Sequence, residues 1–406
     1  MPNIYEHSLK VIKEKGIFSF LNRAFLFIIG QLLCFFLYPL CWLTNTKFIL
    51  VNYAAVGHLV GELECYAKEG ILGIRPLYRT ILLVSRKNLA NPHLLDYWKK
   101  YVFVVDNPVL FLLLWEPLKR NRFLCYDVGR YLKNHPVESR YLVVQKMYHG
   151  RPPVLSLSDF DRERGWAALR KLGVPEKAWF VCVHCRENGY PFQKDKYLLR
   201  DNDVNNYFLA MREIVDRGGW VIRVGDPTMK PIPKMKNVID YAHLNIKSDW
   251  MDVFLCASCR FFVGCSSGLR HLAGVFGVPV VSVNTTAPFS QNLIYGPGGL
   301  GIPKFIWFVK EKRYLNFKEI LSSPIGNFYE DNSFAANGLQ LVENSAEDIK
   351  EAVSEMLDRV EGKIEYSEED ERLQLRLRSL MGLTHYAHGA VSRVGNNFLK
   401  KYEYLL

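Results

Sequence analysis

Charged side chains follow the predicted strands in the second half of the 406-residue chain. His184 and Arg186 come after an apolar run that begins at Trp179, and Arg223 and Asp226 end or follow the next such run. A guanidinium binds phosphate oxygens in a bidentate manner. Ligands of open α/β sheets bind beyond the carboxyl ends of the strands. These residue types therefore predict an anion site, and a diphosphate suits them. A strand-end arginine that pairs with Glu187 or Asp226 is the alternative.

A second cluster lies in the segment RFFVGCSSGLRHLAGVFGVPVVSV, residues 260–283. It predicts a strand at 261–263, a polar turn at 264–268, a helix at about 269–276 and a strand at 280–283. The first amides of a helix are unpaired and the helix dipole is positive there, so phosphate binds at such ends. The candidate phosphate ligands of this segment are Ser266, Ser267, Gly268, Leu269 and His271. A plain tight turn, and for His271 a packed helix histidine, are the alternatives.

His58 is the candidate catalytic base. It follows a predicted strand at 48–51 and precedes a helix from about Leu59, where an imidazole can take the proton of a sugar hydroxyl. Glu62, on that helix, is the second catalytic candidate, and Glu64 is a weaker one. A capping or packing role for His58 remains open. The glycine spacing before this helix is not GxGxxG, so the segment has no dinucleotide fingerprint.

Strands and helices alternate along the whole chain, which predicts an α/β fold with doubly wound parallel sheets. The expected parts are a hydrophobic and basic segment at 1–46, an N-terminal Rossmann-like domain at 47–150, a C-terminal Rossmann-like domain at 151–345 and C-terminal helices at 346–406.

The most hydrophobic run, FLFIIGQLLCFFLYPLCWL at 25–43, contains no charge. Its length approaches the roughly 20 residues of a spanning helix. Pro39 and Gln31 interrupt it, and the cations that precede it would have to cross the membrane. Three interpretations of this run stay open: a helix in the membrane plane, a helix that spans the membrane, and a buried core helix. We expect a cytoplasmic protein, peripheral to the inner face of the cytoplasmic membrane.

The net charge of +11 suits anionic partners, but the basic residues are scattered, so nucleic acid is not expected. Cys182/Cys185 and Cys256/Cys259 have CxxC spacing. Both pairs lie in segments that read as regular and buried, so reduced structural thiols are expected. We expect neither a metal site nor a cofactor.

The run VGCSSGLRHLAGVFGVPVVSV resembles the donor-binding motif of GT-B glycosyltransferases such as heptosyltransferases. VCVHCREN resembles the H-x-R strand end of fucosyltransferase-like enzymes, in which an arginine holds the donor diphosphate; that arginine maps to Arg186, with His184 before it. Residues 178–310 look more closely like bacterial glycosyltransferases of surface-polysaccharide synthesis. The sequence departs from these patterns at two positions. His58 stands where heptosyltransferases carry an aspartate, and Glu187 where the fucosyltransferase pattern has a second arginine.

The resemblance implies a GT-B-like fold with a cleft between two Rossmann-like domains, the C-terminal one holding a nucleotide sugar. It implies a metal-independent glycosyltransferase that acts on a cell-surface glycan or a lipid-linked acceptor. Two alternatives stay open: a sugar-nucleotide epimerase or hydrolase on the same fold, and a non-catalytic, membrane-peripheral protein that binds nucleotide sugars.

Overall fold

The computed structural model describes residues 4–129, 140–187, 199–286, 298–328, 330–382 and 391–406. Asn188, which ends the string VCVHCREN, lies outside them. The chain divides into two compact units, Met1–Arg130 and Tyr131–Leu406. The sequence predicts a domain division near residue 150, and the helix Arg140–Tyr148 just before that point belongs to the second unit.

Unit 1 alternates helices and strands. Its elements are α1 (Ile4–Leu43), β1 (Thr46–Ile49), α2 (Val56–Ile71), β2 (Arg79–Leu83), α3 (Leu94–Trp98), β3 (Phe103–Val105), α4 (Pro108–Lys119) and β4 (Cys125–Tyr126). Within the described residues the strands form one parallel sheet in the order β3-β2-β1-β4. The chain thus moves outward from β1 to β3 and then returns to the other side of β1.

Helix α1 is part of unit 1 rather than a separate segment. Its residues Cys34 and Cys41 are buried in a core shared with Leu114 and Leu118 of α4. Gly30 permits close contact with α4, because a Cβ there would lie 2.0 Å from the Leu113 carbonyl oxygen. The second half of the segment expected at 1–46 therefore packs on the first sheet domain.

Unit 2 is the larger body. Its elements are α5 (Arg140–Tyr148), α6 (Asp159–Lys171), β5 (Phe180–His184), α7 (Phe208–Asp216), β6 (Trp220–Arg223), β7 (Val238–Ile239), α8 (Asp249–Ser258), β8 (Phe262–Gly264), α9 (Gly268–Val275), β9 (Val280–Thr285), β10 (Leu300–Pro303), β11 (Phe305–Phe308), β12 (Arg313–Tyr314), α10 (Phe317–Leu321), α11 (Asp331–Ala336), β13 (Leu339–Val342), α12 (Ala346–Val360), α13 (Glu368–Ser379), β14 (Arg393–Val394) and α14 (Asn396–Lys401).

The main sheet of unit 2 has the order β14-β10-β9-β8-β5-β6-β7 within the described residues, and its strand pairs are parallel. The chain runs outward from β5 to β7, returns to β8 beside β5, and then runs outward in the other direction. The predicted α/β class with parallel, doubly wound sheets is confirmed. Two features differ from the expectation: β14 makes residues 393–394 part of the sheet, and β11–β13 form a small antiparallel sheet.

All nine cysteines lie in the described part of the chain as free thiols, buried except for half-buried Cys125. The thiol of Cys182 donates to the Leu255 carbonyl at 3.4 Å, and that of Cys259 to the Cys256 carbonyl at 3.5 Å. Burial raises the pKa of the Cys182 and Cys256 thiols well above its usual range. These cysteines therefore pack as protonated core residues.

Candidate functional site

The main sheet of unit 2 reverses its strand order between β5 and β8. His184, at the end of β5, pairs with Gly264, at the end of β8. The crevice beyond the carboxyl ends of strands at such a reversal is where open α/β sheets bind ligands. The two segments singled out from the sequence, His184–Glu187 and Cys265–Gly268, both begin here.

Arg186 is joined directly to the serine turn. Its backbone N–H donates to the Cys265 Sγ at 3.3 Å. Its side chain is 12% exposed, with Nε 3.2 Å from Oδ1 of Asp201. The structure therefore brings Arg186 and the turn together, and a carboxylate holds the guanidinium in place.

The two serines of the turn have different roles. The Ser266 Oγ accepts from the Thr286 N–H at 3.3 Å, so it faces the sheet. Ser267 is the N-cap of α9 with extended backbone (φ −134°, ψ 161°), but its side chain does not cap the helix. Its Oγ is buried without a hydrogen-bond partner in the described part of the chain. The first-turn amides of Gly268 and Leu269 thus lack a side-chain cap, beside a buried hydroxyl group.

Three cations near the turn were missed by sequence reasoning. Arg200 donates through Nε (2.9 Å) and Nη2 (2.6 Å) to the Ser266 carbonyl. The Lys304 ammonium donates to the Leu199 and Asp201 carbonyls at 3.1 and 2.9 Å, and burial lowers its pKa. Arg270, on α9, is 2% exposed.

The charges of these three residues act together on Cys265. Burial raises the pKa of its thiol, whereas Lys304, Arg270 and Arg200 oppose that rise. Helix dipole and side chains therefore combine into one positive region at the start of α9. The sequence predicts a solvated loop around Arg200, so this residue could not be identified as part of the site. Lys304 directly follows a strand, and that position could have identified it as a site candidate.

His184 is a neutral hydrogen-bonding group. Its Nδ1 lies 2.9 Å from the Val224 carbonyl oxygen, which can only accept, so Nδ1 carries the proton. The side chain is 8% exposed, and burial lowers the pKa to about 4. The second nitrogen, Nε2, is left as an acceptor. This imidazole can orient a ligand hydroxyl but brings no positive charge.

The remaining donor-site candidates are engaged elsewhere. Arg223 is fully buried and donates to Asp240 (3.0 Å) and Glu187 (2.7 Å), so it positions the residue that follows Arg186. Asp226 accepts from the Thr228 N–H at 2.9 Å, and the His271 ring packs edge-to-face on Tyr141 at 6.0 Å. The structure therefore does not place these side chains on the turn.

In unit 1 the two catalytic candidates contact each other. His58 Nδ1 lies 2.8 Å from the Glu62 Oε1, four residues along α2. The other oxygen of Glu62 accepts from the Asn52 N–H at 3.4 Å. The Glu62 side chain is 5% exposed and that of His58 is 44% exposed. A carboxylate that accepts from Nδ1–H fixes the tautomer in which Nε2 is the base.

No arrangement of three or more His, Cys, Asp or Glu side chains suited to a metal ion occurs among the described residues.

No protein-family profile matches the sequence, and no curated protein matches it. The solved structures to which this chain is similar include a glycosyl transferase family 9 protein from Veillonella parvula (11% identity, 78% of this chain and 98% of that chain, TM-score 0.46). Others are the E. coli ADP-heptose LPS heptosyltransferase II (12% identity, 58% and 84%, TM-score 0.38) and E. coli heptosyltransferase WaaC with ADP (12% identity, 64% and 90%, TM-score 0.32).

Proposed function

We propose that the protein is a glycosyltransferase. It takes a sugar from a nucleoside-diphosphate donor and transfers it to a cell-surface glycan or a lipid-linked acceptor at the inner face of the cytoplasmic membrane. The candidate donor site is at the start of α9, and the candidate base is His58.

The observation that supports the proposal best is the start of α9. Its first amides lack a side-chain cap, the Ser267 hydroxyl is buried without a partner in the described residues, and Arg186, Arg200 and Lys304 are nearby. A buried hydroxyl that lacks a partner costs about 1–3 kcal/mol. A diphosphate would satisfy the hydroxyl and the amides together.

The same groups suit the departure of the diphosphate. In the reaction the bond between the anomeric carbon and the phosphate oxygen breaks, its electron pair goes to the phosphate, and the acceptor oxygen bonds to the anomeric carbon. Amides and cations fixed at that phosphate stabilise the developing charge. We propose that they do so without a metal, so EDTA should leave turnover unchanged. The neutral His184 orients a donor hydroxyl.

The acceptor hydroxyl must lose its proton as it attacks. We propose that the Nε2 of His58 takes this proton and that Glu62 stabilises the imidazolium. The arrangement matches a general base whose tautomer is fixed by a carboxylate.

The experiment compares two serine-to-alanine variants at helix N-caps. Ser267 has no capping bond, whereas the Ser345 side chain caps α12 by accepting from the Asp348 N–H. UDP, GDP, ADP and CMP are titrated by calorimetry against wild type, Ser267→Ala and Ser345→Ala. We expect at least one nucleotide to bind, Ser267→Ala to weaken it about tenfold or more, and Ser345→Ala to bind normally. In thermal unfolding, Ser345→Ala should lose about 1 kcal/mol of stability through loss of its cap, whereas Ser267→Ala should be nearly as stable as the wild type.

Absence of nucleotide binding by the wild type would overturn the proposal, as would normal binding by Ser267→Ala. Binding followed by acceptor-independent hydrolysis or epimerisation would assign the alternative enzyme activity. Binding without turnover towards any acceptor would favour the non-catalytic protein.

A further inference from the structure

Unit 1 exposes a large apolar surface on α1, α4 and the loop after α4. On α1, the exposed fraction is 86% for Phe18, 73% for Phe35 and 74% for Trp42. The surface continues beyond α1, because Val109 and Phe123 are 60% and 72% exposed. Large contiguous apolar patches on a protein surface mark contacts with membranes or other proteins. We call this surface the apolar face.

Helix α1 is attached to the folded unit along its second half. The Phe27 ring lies 5.2 Å from the Arg120 guanidinium, Gly30 contacts α4, and the Tyr38 ring packs edge-to-face on Phe123 at 6.1 Å. Cys41 is buried in the unit 1 core. The stretch from Phe27 to Cys41 therefore lies on the folded unit.

This attachment leaves too little helix to cross a bilayer. The apolar part of α1 spans Gly16–Leu43. Residues 16–26, which precede the attached stretch, extend about 16 Å at 1.5 Å per residue, against a hydrocarbon core of about 30 Å. Spanning with the attached stretch would draw Glu116, Lys119 and Arg120 of the folded unit into hydrocarbon. An orientation in the membrane plane avoids both problems.

A basic pocket borders the apolar face. It has a volume of 380 Å³ and is lined by Gln31, Pro117, Arg120, Asn121, Arg122 and Phe123. Among the described residues no carboxylate forms an ion pair with Arg120 or Arg122, although Lys119 pairs with Glu116. Exposed Arg23 lies one turn of α1 before Phe27, on the same side of the helix. Apolar and cationic groups together match the acyl chains and phosphates of an anionic lipid leaflet.

We propose that unit 1 is a monotopic membrane-binding unit. The apolar face enters one leaflet with α1 in the membrane plane, and Arg120 and Arg122 hold phosphates of anionic lipids in the pocket. This goes beyond the proposed transfer reaction and does not depend on it.

The first test is flotation of the full-length protein with vesicles of phosphatidylcholine alone or with phosphatidylglycerol added. The variant is Arg120→Gln/Arg122→Gln, and the control is Arg170→Gln/Lys171→Gln, the same charge change on exposed positions of α6. A basic residue near an anionic surface contributes about fivefold to partitioning, so the pocket variant should lose about 30-fold. The control should bind normally, because Arg170 and Lys171 are in unit 2 and are not part of the proposed lipid-binding surface.

Phe35→Asn/Phe36→Asn tests the apolar face, and should reduce partitioning to both vesicle types. Equal binding of wild type to the two vesicle types, or normal binding by the pocket variant, would overturn the headgroup site. Normal binding by the phenylalanine variant would overturn insertion of the apolar face.

The second test is topology in sealed inner-membrane vesicles, with an epitope tag before Met1 and another after Leu406. The in-plane orientation predicts that added protease removes both tags. Protection of the N-terminal tag alone would show a span and overturn the proposal. Neither experiment measures sugar transfer, so their failure is distinguishable from failure of the transferase proposal.

Discussion

The contact between His58 and Glu62 gives a single residue a defined chemical role. A histidine can act as a base or as an acid, and its neighbours decide which ring nitrogen is free. Here Glu62 is held by the Asn52 amide and contacts Nδ1. The free nitrogen is Nε2, on a side chain that is 44% exposed.

For His58→Ala we expect kcat of sugar transfer to fall about a hundred- to ten-thousandfold, the usual contribution of a general base. Donor affinity should be unchanged. Glu62→Gln keeps an oxygen that can accept a hydrogen bond but removes the charge. Its kcat should therefore fall less than that of His58→Ala. His93→Ala is the control: this histidine is also in unit 1, 3.9 Å from a carboxylate of Asp96. Unchanged turnover in His58→Ala would remove the residue from the mechanism.

The buried His184 makes stability depend on pH. Its folded pKa of about 4 lies below the ordinary 6.5. Between these values the unfolded chain binds a proton that the folded chain does not, so stability falls as the pH drops through this window and is constant above it. His184→Asn keeps a donor at the Nδ1 position for the Val224 carbonyl.

Urea unfolding of wild type and His184→Asn at two pH values measures this contribution. From pH 7 to pH 5 the wild type should lose about 2 kcal/mol more than the variant. Burial raises the pKa of the Asp252 carboxyl, but any contribution of this group to the pH dependence is present in both proteins and cancels in the comparison. Equal losses would show that His184 accepts its proton normally in the folded state.

At the scale of elements, the contact between α1 and α4 depends on a glycine and a proline. Pro117 has no N–H, so the Leu113 carbonyl oxygen lacks its helical donor. Gly30 lets α1 approach that oxygen, because a Cβ there would lie 2.0 Å from it and 2.6 Å from Pro117 Cγ. The helices can be this close only while position 30 is glycine.

Gly30→Ala should therefore lower the free energy of unfolding of unit 1 by about 1–3 kcal/mol, the usual cost of overpacking. Leu32→Ala is the control, since Leu32 is 57% exposed and its truncation leaves no cavity. Thermal unfolding compares them. A Gly30→Ala protein as stable as the wild type would mean that α1 does not pack on α4 in this way.

Elements with a strong local pattern were predictable, and those that depend on distant partners were not. The strands and the helix of the segment at 260–283 begin and end close to their expected positions, because a glycine turn marks them in the sequence. Strands β4 and β14 have only two residues each. They are strands only because β4 pairs with β1 and β14 pairs with β10.

The roles of single side chains in the candidate site also depend on distant partners and could not be predicted. Ser266 and Ser267 are adjacent residues of the same type, so the sequence does not distinguish them. In the fold, Thr286 donates to the Ser266 hydroxyl, whereas the Ser267 hydroxyl has no partner among the described residues. Arg223 has the residue type of a phosphate ligand, but two carboxylates distant in sequence surround it. Such contacts depend on tertiary structure, and a local pattern does not contain them.

For the whole molecule, the net charge of +11 affects how a nucleotide arrives. Charges separated by more than about 10 Å are screened at 0.1 M salt, so long-range attraction weakens as salt rises. We expect the association rate of a bound nucleoside diphosphate to fall with ionic strength, with a smaller change in dissociation. Stopped-flow fluorescence measures both rates. The parent nucleoside, which has no phosphates, is the control, and an equal salt effect on it would contradict the expectation.

Strand β14 has a consequence for synthesis of the chain. Residues 393–394 pair with β10 at the edge of the main sheet, and Gln374 of α13 exchanges hydrogen bonds with Val394. The sheet of unit 2 is therefore incomplete until residue 394 has left the ribosome, whereas the described strands of unit 1 end at residue 126. Unit 1 should therefore be able to fold before residue 394 is synthesised, and unit 2 only afterwards. Nascent chains arrested before Arg393 should yield a protease-resistant unit 1 and a digestible unit 2.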